Sequence, residues 1–385
     1  MRRARRRGVT AMRIALLTRR FDPSGGGTER DLIVTAAYLR REGHEVTVYA
    51  DEVRGTSGDL VVNRVGAAAF PRALAVIRFA YAAPKAARAG GAELVLSFAR
   101  TVGADILRPG GGVHASYLRA ARRWRGAASA RAMTLAPYHR AQMLVERRGF
   151  CAPELRKAIA VSNLVRDDLI RSFGIPGERA VTLYNGVDLD RFRPPADHSA
   201  RLEFRARHDI PKTARVAAFA GNGFGRKGLG GLIDAWARVS ADAYLLVIGG
   251  DRAAPSFRAR AVRVGAGERV IFTGPVPDVA PYFHAADALA LPSLFEPFGN
   301  VVMEAMACGI PALSSAMCGV AELMPPELRE FVVGDPGDPS EIARRVGAML
   351  AAGREAGQIA RATAERFTWE RYGHELDAII ASVAR

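Results

Sequence analysis

Two glutamates with seven residues between them mark where this chain could do chemistry: Glu296 and Glu304, within Leu294-Phe295-Glu296-Pro297-Phe298-Gly299-Asn300-Val301-Val302-Met303-Glu304-Ala305-Met306-Ala307-Cys308-Gly309. Ala288 to Leu291 reads as a buried strand, Pro292 to Pro297 as a loop, and Gly299-Asn300 as the start of a helix that Gly309 closes. The helix is apolar on nearly every side, so burial is expected, and an unpartnered buried carboxylate at Glu304 would cost several kcal/mol, roughly. The first-turn amides of Gly299, Asn300 and Val301 form a cluster of donors with partial positive charge, a seat for an anion or a set of hydroxyls. Side chains lean toward the helix N-terminus, so Glu304 is expected to reach the seat that Phe298 and Glu296 flank from the loop. A ligand carrying both phosphates and hydroxyls, such as a nucleotide sugar, satisfies this set. A helix cap plus a structural ion pair is the plainer alternative.

A second cluster is cationic. Gly221-Asn222-Gly223-Phe224-Gly225-Arg226-Lys227-Gly228 follows an apolar strand, Ala214 to Ala220, and precedes a helix. The loop fits neither the Walker phosphate motif, which needs Gly before Lys and Ser or Thr after it, nor G-x-G-x-x-G, whose last place is Arg226. What stays is a pair of cations at a helix entrance: Arg226 can fork two phosphate oxygens and Lys227 adds a point charge. Such a pair can neutralise a leaving diphosphate, with no carboxylate cluster of the magnesium type beside it. No metal and no cofactor are expected.

Near the N-terminus, strand Arg13 to Thr18 feeds Phe21-Asp22-Pro23-Ser24-Gly25-Gly26-Gly27 and a helix from Thr28 to Arg41. Glycines before a helix leave bare amides for a phosphate, with Gly25 and Gly26 the candidate contacts, or they form a flexible turn. The run Asp105-Ile106-Leu107-Arg108-Pro109-Gly110-Gly111-Gly112-Val113-His114 supplies a short strand and a second glycine turn. His114 is a candidate contact to a transferred sugar, or a histidine bonded to its own loop. Asp105 is a candidate acceptor of a hydrogen bond near an acceptor hydroxyl.

These residues must be positioned by something large. The 385 residues suggest two domains of roughly 150 to 200 residues, and 49% apolar with 24% charged residues is an ordinary globular composition. The pattern of strand, glycine loop, helix, strand recurs in both halves, an α/β reading of two doubly wound domains. The expected bounds are 12–190 for the first, 191–210 for a linker and 211–368 for the second. Residues 1–11 read as a basic extension or a misassigned start. The cysteines Cys151, Cys308 and Cys318 show no close pairing, which fits a reducing cytosol. No stretch reaches about 18 uninterrupted apolar residues, so no transmembrane helix is expected.

Net charge is +16, with only four lysines among the 55 basic residues. No base-reading motif accompanies it, so no nucleic acid is expected as a partner. Ser116 to Phe150 reads as two helices in which arginines, among them Arg119, Arg122, Arg123 and Arg125, interleave with Tyr117, Leu118 and Trp124. Such a face suits anionic lipid headgroups; a merely solvated face is the alternative.

The motif Glu-Pro-Phe-Gly-Asn-Val-Val-Met-Glu-Ala resembles the signature of the retaining glycosyltransferases of family 4. The resemblance extends over nearly the whole chain from Met12, including Asn185-Gly186-Val187-Asp188 in the linker. It implies the GT-B fold, two Rossmann-like domains facing across a cleft, with the first on the acceptor side, the second binding the donor, and a last helix, 369–385, crossing back onto the first. It also implies that Glu296 sits by the donor sugar, that Glu304 holds the ribose, that the Gly274-Pro275-Val276-Pro277-Asp278 turn lines the base pocket, and that transfer follows a front-face route. Gly-Phe-Gly-Arg-Lys-Gly, Ala-Met-Cys-Gly-Val-Ala and Gly-Gly-Thr-Glu-Arg-Asp are most similar to lipopolysaccharide core heptose glucosyltransferases, implying UDP-glucose as donor, a glycolipid acceptor and a place at the inner face of the cytoplasmic membrane. The Pro275 turn and the Gly110 loop depart from that pattern. Other donors and acceptors of the family, such as GDP-mannose, a lipid carrier or glycogen, and a GT-B epimerase, remain alternatives.

Overall fold

The computed structural model describes residues 11–383 other than 24, 57, 67–70 and 198. The basic extension therefore lies, but for Ala11, outside the described residues. Two compact units divide the chain: the first takes residues up to Leu118, Arg131–Tyr184 and the C-terminal segment from Trp369, and the second takes Arg119–Ala130 and Asn185–Thr368. Assignment of 119–130 to the second unit departs from the sequence reading, which kept all of 12–190 together.

In the first unit seven strands form one parallel sheet: β1 (Arg13–Phe21), β2 (Glu45–Val53), β3 (Val61–Arg64), β4 (Leu94–Ser97), β5 (Ile106–Leu107), β6 (Lys157–Ala160) and β7 (Ala180–Thr182), in the order β3-β2-β1-β4-β5-β6-β7. Parallel strands buried on both faces need continuous apolar runs, and β1 and β4 have them. Ile14, Leu16, Val48, Leu94 and Leu96 share a core with Leu32, Ala36 and Leu39 of the first helix, Gly27–Arg41. The last helix, Trp369–Val383, adds Tyr372, Leu376, Ile380 and Val383 to that same core. Each such side chain contributes about 1.5–3 kcal/mol of burial, enough to hold a fifteen-residue helix far along the chain from its neighbours.

In the second unit β8 (Arg215–Ala220), β9 (Ala243–Ile248), β10 (Val270–Gly274), β11 (Ala288–Ala290), β12 (Ala312–Ser315) and β13 (Val332–Val333) form a parallel sheet in the order β10-β9-β8-β11-β12-β13. Both sheets are doubly wound, the two-domain GT-B pattern. In each, strand order reverses beside the unit's first strand, at β1/β4 and at β8/β11, and the crevice beyond the carboxyl ends at such a point is where ligands bind.

Two expectations need correction. The stretch 116–150 forms three helices, His114–Arg125, Ala127–Leu135 and Pro137–Phe150, because Gly126 adopts φ +80° and Pro137 starts a new first turn. The expected linker 191–210 contains a helix, Ser199–Arg207. Its Arg205, 1% exposed, donates to the carbonyls of Ala285, Lys212 and Ala214 and to Asp287, which fastens the segment to the second sheet.

Candidate functional site

The loop after β8 is built around Phe224. Its ring is fully buried among Phe219, Phe257 and Phe272, while its amide donates to Asp251 at 2.8 Å. Gly228, at φ +82°, passes so close to the chain beyond β11 that a Cβ would fall 1.9 Å from the carbonyl oxygen of Pro292. Only glycine fits, and the contact brings Arg226 and Lys227 against the loop that follows β11.

That second loop is fixed from its other side. Glu296 donates its amide to the Met317 carbonyl at 3.0 Å and accepts from the Gly319 amide at 3.0 Å, and the Phe298 carbonyl accepts from Val320 and from the thiol of Cys318. Gly299, the residue before the helix Asn300–Ala307, sits at φ +104° with the Cys318 sulfur 2.7 Å from where a Cβ would be. Beyond it the Asn300 side chain accepts a hydrogen bond from Asn185 at 2.8 Å.

Between the loops lies a charged triad. Glu296 Oε2 accepts from Arg226 Nη1 at 2.8 Å and from Lys227 Nζ at 2.7 Å, while Arg226 also reaches the Phe295 carbonyl at 2.8 Å. Burial alone would raise the Glu296 pKa, yet Lys227 and Arg226 outweigh it and hold the carboxyl down at about 2. Two cations and one carboxylate leave one positive charge at a helix N-terminus, an electrostatic seat for an oxyanion. Glu304 departs from expectation: the helix buries Val302, Met303, Ala305, Met306 and Ala307, whereas Asn300, Val301 and Glu304 are half-buried. The short helix presents one edge outward, so no isolated buried carboxylate arises.

The first unit offers a different edge. Gly26 precedes the helix Gly27–Arg41, Gly25 donates to the Asp22 carbonyl at 2.9 Å, and a Cβ on Gly110 would come 3.3 Å from Thr28 Oγ1, so the two glycine loops adjoin. A cavity of about 550 Å³ opens there, lined by Thr18, Arg19, Arg100, Gly110, Gly111 and Tyr138 among others. His114 starts its helix beside it in sequence. Its amide donates to Glu146 at 2.9 Å, and Arg100 bonds both that carboxylate and the Gly112 carbonyl, so Glu146 and Arg100 fix the turn. His114 Nε2 lies 3.0 Å from His139 Nδ1. Burial first, then Arg100 and His139, push the His114 pKa down to about 3, so the ring is neutral at physiological pH. Neither Glu146 nor His139 was singled out from sequence, because the helix that carries them reads only as basic and amphipathic.

Asp105 requires the plainest correction. It precedes β5 and accepts from Arg88 at 2.5 Å and from the Val95 amide at 2.7 Å. In a parallel sheet that places it at the amino ends of β4 and β5, the edge opposite the glycine loops. Asp105 ties the sheet together and does not reach the candidate site.

The arginine face is exposed as expected: Arg119, Arg122, Arg123, Arg125, Arg131, Arg140, Arg147 and Arg148 all face solvent, as do Leu135 and Leu144. Arg123 pairs with Asp335, and Trp124 packs on Gly225, both within the second unit. No helix among the described residues is long and apolar enough to cross a membrane.

Comparison with known proteins adds three findings. Residues 25–191 match the model described as Glycosyltransferase Family 4, and residues 214–352 match that described as Glycosyl transferases group 1. Among curated proteins, the D-inositol 3-phosphate glycosyltransferase of Xylanimonas cellulosilytica is 35% identical over 215 residues, 53% of this chain and 51% of that protein, and that of Salinispora tropica is 32% identical over 238 residues, 57% and 49%. The chain thus spans about half the length of the curated relatives it matches. Among solved structures, WaaG, a glycosyltransferase of lipopolysaccharide biosynthesis, superposes with a TM-score of 0.80 at 22% identity over 95% of this chain and 99% of its own, and Anabaena HepE in complex with UDP-glucose with 0.72 at 19%, over 96% and 100%. These last two likenesses concern the fold.

Proposed function

Because the chain carries a family 4 glycosyltransferase domain over 25–191 and a group 1 domain over 214–352 in a GT-B fold, we propose that it is a retaining hexosyltransferase acting on a nucleoside diphosphate sugar, UDP-glucose first among candidates. The observation that carries this reading is the Arg226–Lys227–Glu296 triad beside the Gly299 helix start. Its residual positive charge complements a diphosphate, and the Glu296 carboxylate is the candidate acceptor of hydrogen bonds from sugar hydroxyls. Glu304, on the outward edge of the same helix, serves the ribose.

In the proposed reaction the bond from the sugar's anomeric carbon to the diphosphate oxygen breaks while the acceptor oxygen bonds that carbon from the same face. Arg226, Lys227 and the helix amides stabilise the negative charge on the departing diphosphate, and the acceptor's proton passes to it. At the first unit's edge, Gly25 and Gly26 are the candidate contacts to a phosphate, and the neutral His114 is the candidate contact to the transferred sugar.

Two acceptors follow from two observations. The motif resemblance to lipopolysaccharide core heptose glucosyltransferases favours inner-core heptose on lipopolysaccharide, and the exposed Arg119, Arg122, Arg123 and Arg125 favour an anionic membrane surface on the cytoplasmic side as partner. The names of the sequence relatives support a phosphorylated polyol instead. The deciding experiment incubates the purified chain, with EDTA, with UDP-glucose, GDP-mannose or ADP-glucose and either truncated lipopolysaccharide or D-inositol 3-phosphate, and weighs the products. Sugar gained by one acceptor supports transfer; hydrolysis or epimerisation alone overturns it. Replacing Arg119, Arg122, Arg123 and Arg125 with Ser should abolish sedimentation with anionic liposomes, since roughly 1 kcal/mol per basic residue is at stake; unchanged sedimentation removes the membrane partner.

A further inference from the structure

A sizeable cavity in the second unit lies away from the donor edge. It holds about 930 Å³ and opens among the amino ends of the strands, where Arg215 begins β8 and the Gly309-Ile310-Pro311 turn precedes β12. Six residues of β8 separate it from the Arg226 loop, roughly 20 Å at the rise of a strand. It is therefore a separate place with its own chemistry.

Its walls are built rather than accidental. The helix Gly353–Glu365 meets the turn at Gly357, where a Cβ would fall 2.3 Å from the Gly309 carbonyl oxygen, so the helix is held flush by the absence of a side chain. Arg361 locks the same wall by donating to the carbonyls of Phe192 and Ala307. Phe283, Ile310, Met349 and Leu350 supply apolar lining. A cavity of this size with an apolar lining and a few polar groups has the character of a small-molecule site.

Charge selects the ligand. Six charged side chains line the cavity, four arginines against two carboxylates. Both carboxylates are already satisfied: Asp287 accepts from Arg201, Arg205 and the Val216 amide, and Glu365 from Arg361. Arg215 and Arg354 have no side-chain hydrogen bond or ion pair among the described residues, and both are exposed. An unneutralised pair of guanidinium groups above an apolar lining matches an organic anion with an apolar body.

We propose that this cavity is a second binding site, separate from the donor edge, for an amphipathic organic anion held by Arg215 and Arg354 at its mouth and by the apolar lining below. The probe is 8-anilinonaphthalene-1-sulfonate, followed by fluorescence, with neutral N-phenyl-1-naphthylamine as its uncharged counterpart. The full chain should bind one sulfonate saturably, with affinity unchanged by excess UDP. The neutral probe should bind at least about tenfold more weakly, as should the sulfonate to the Arg215→Glu/Arg354→Glu variant, the scale expected for lost charge-assisted hydrogen bonds. Ala362→Trp, at an exposed position of the wall, should block the cavity without touching either arginine. Non-saturable binding, displacement by UDP, or equal affinity in both variants would overturn the assignment, whatever the outcome of the donor screen.

Discussion

The two sheet edges that carry the candidate chemistry start from the same plan and arrange their charged groups differently: cations outnumber carboxylates at both, but the second unit's edge clamps its cations onto one carboxylate. Each follows the first strand of its sheet with a glycine loop and a helix at the point where strand order reverses. The second unit's edge then gathers two cations onto one carboxylate, while the first unit's edge keeps its imidazole neutral and holds its turn through Arg100 and Glu146. Under the proposed function the second edge faces the departing diphosphate, and the first edge contributes a neutral imidazole at His114.

The sharpest way to break this comparison is at Glu296. Glu296→Ala should lower transfer by about 10²–10³-fold, the scale of losing an electrostatic contact at the reacting centre. Glu296→Gln keeps the shape, and it carries a pH test. Because the native pKa is depressed to about 2, the carboxylate's contribution to stability is complete above the unfolded value near 4.5 and is lost as pH falls through 2. The gap in stability between wild type and Glu296→Gln should therefore close over that window; a gap independent of pH would mean that the triad is not an ion pair in solution.

Next in size, Arg226→Ala should weaken UDP binding by roughly 10- to 100-fold, since hydrogen bonds to charged groups contribute about 1.5–3 kcal/mol. Calorimetry would read this directly, and unchanged affinity would remove the cationic loop from the diphosphate. At the first edge, His114→Phe should leave UDP affinity alone while altering acid stability. The native pKa lies below the unfolded one, so the unfolded chain binds the proton more readily and wild type loses about 1.4 kcal/mol per pH unit at this site as pH falls from about 6.5 toward 3. The variant should lack that component, and parallel curves for the two proteins would show that His114 titrates normally.

The smallest expected effect on turnover is at Asp105. Its partners lie at the amino ends of β4 and β5, so Asp105→Asn should change kcat/KM by no more than about twofold while lowering stability by about 1–2 kcal/mol. A loss of activity at unchanged stability would restore it to the site.

Most of the architecture was legible in the residues. Continuous apolar runs such as Leu245 to Ile248 can satisfy themselves only as buried parallel strands, and Gly299, Asn300 and Gly309 punctuate a helix by local conformational preference. Glu296, Arg226 and Lys227 stood out because charged residues interrupt otherwise apolar or glycine-rich stretches. Local sequence fixes such features because they depend on neighbours within a few residues.

What tertiary structure decided are relations across tens of residues. That Arg226 and Lys227 meet Glu296, 70 and 69 positions away, depends on Gly228 letting one loop reach the carbonyl of Pro292. That Asp105 belongs to the far edge follows from strand direction and register, which no single strand encodes. Whether Glu304 is buried turned on which helix face met the sheet, and the pairing of Glu146 with His114 on how two helices pack. The sequence by itself determined which groups are available for chemistry, since local preferences set their elements. Only the packed sheets determined which of them touch, because contact depends on chain reversal and burial that the one-dimensional pattern leaves open.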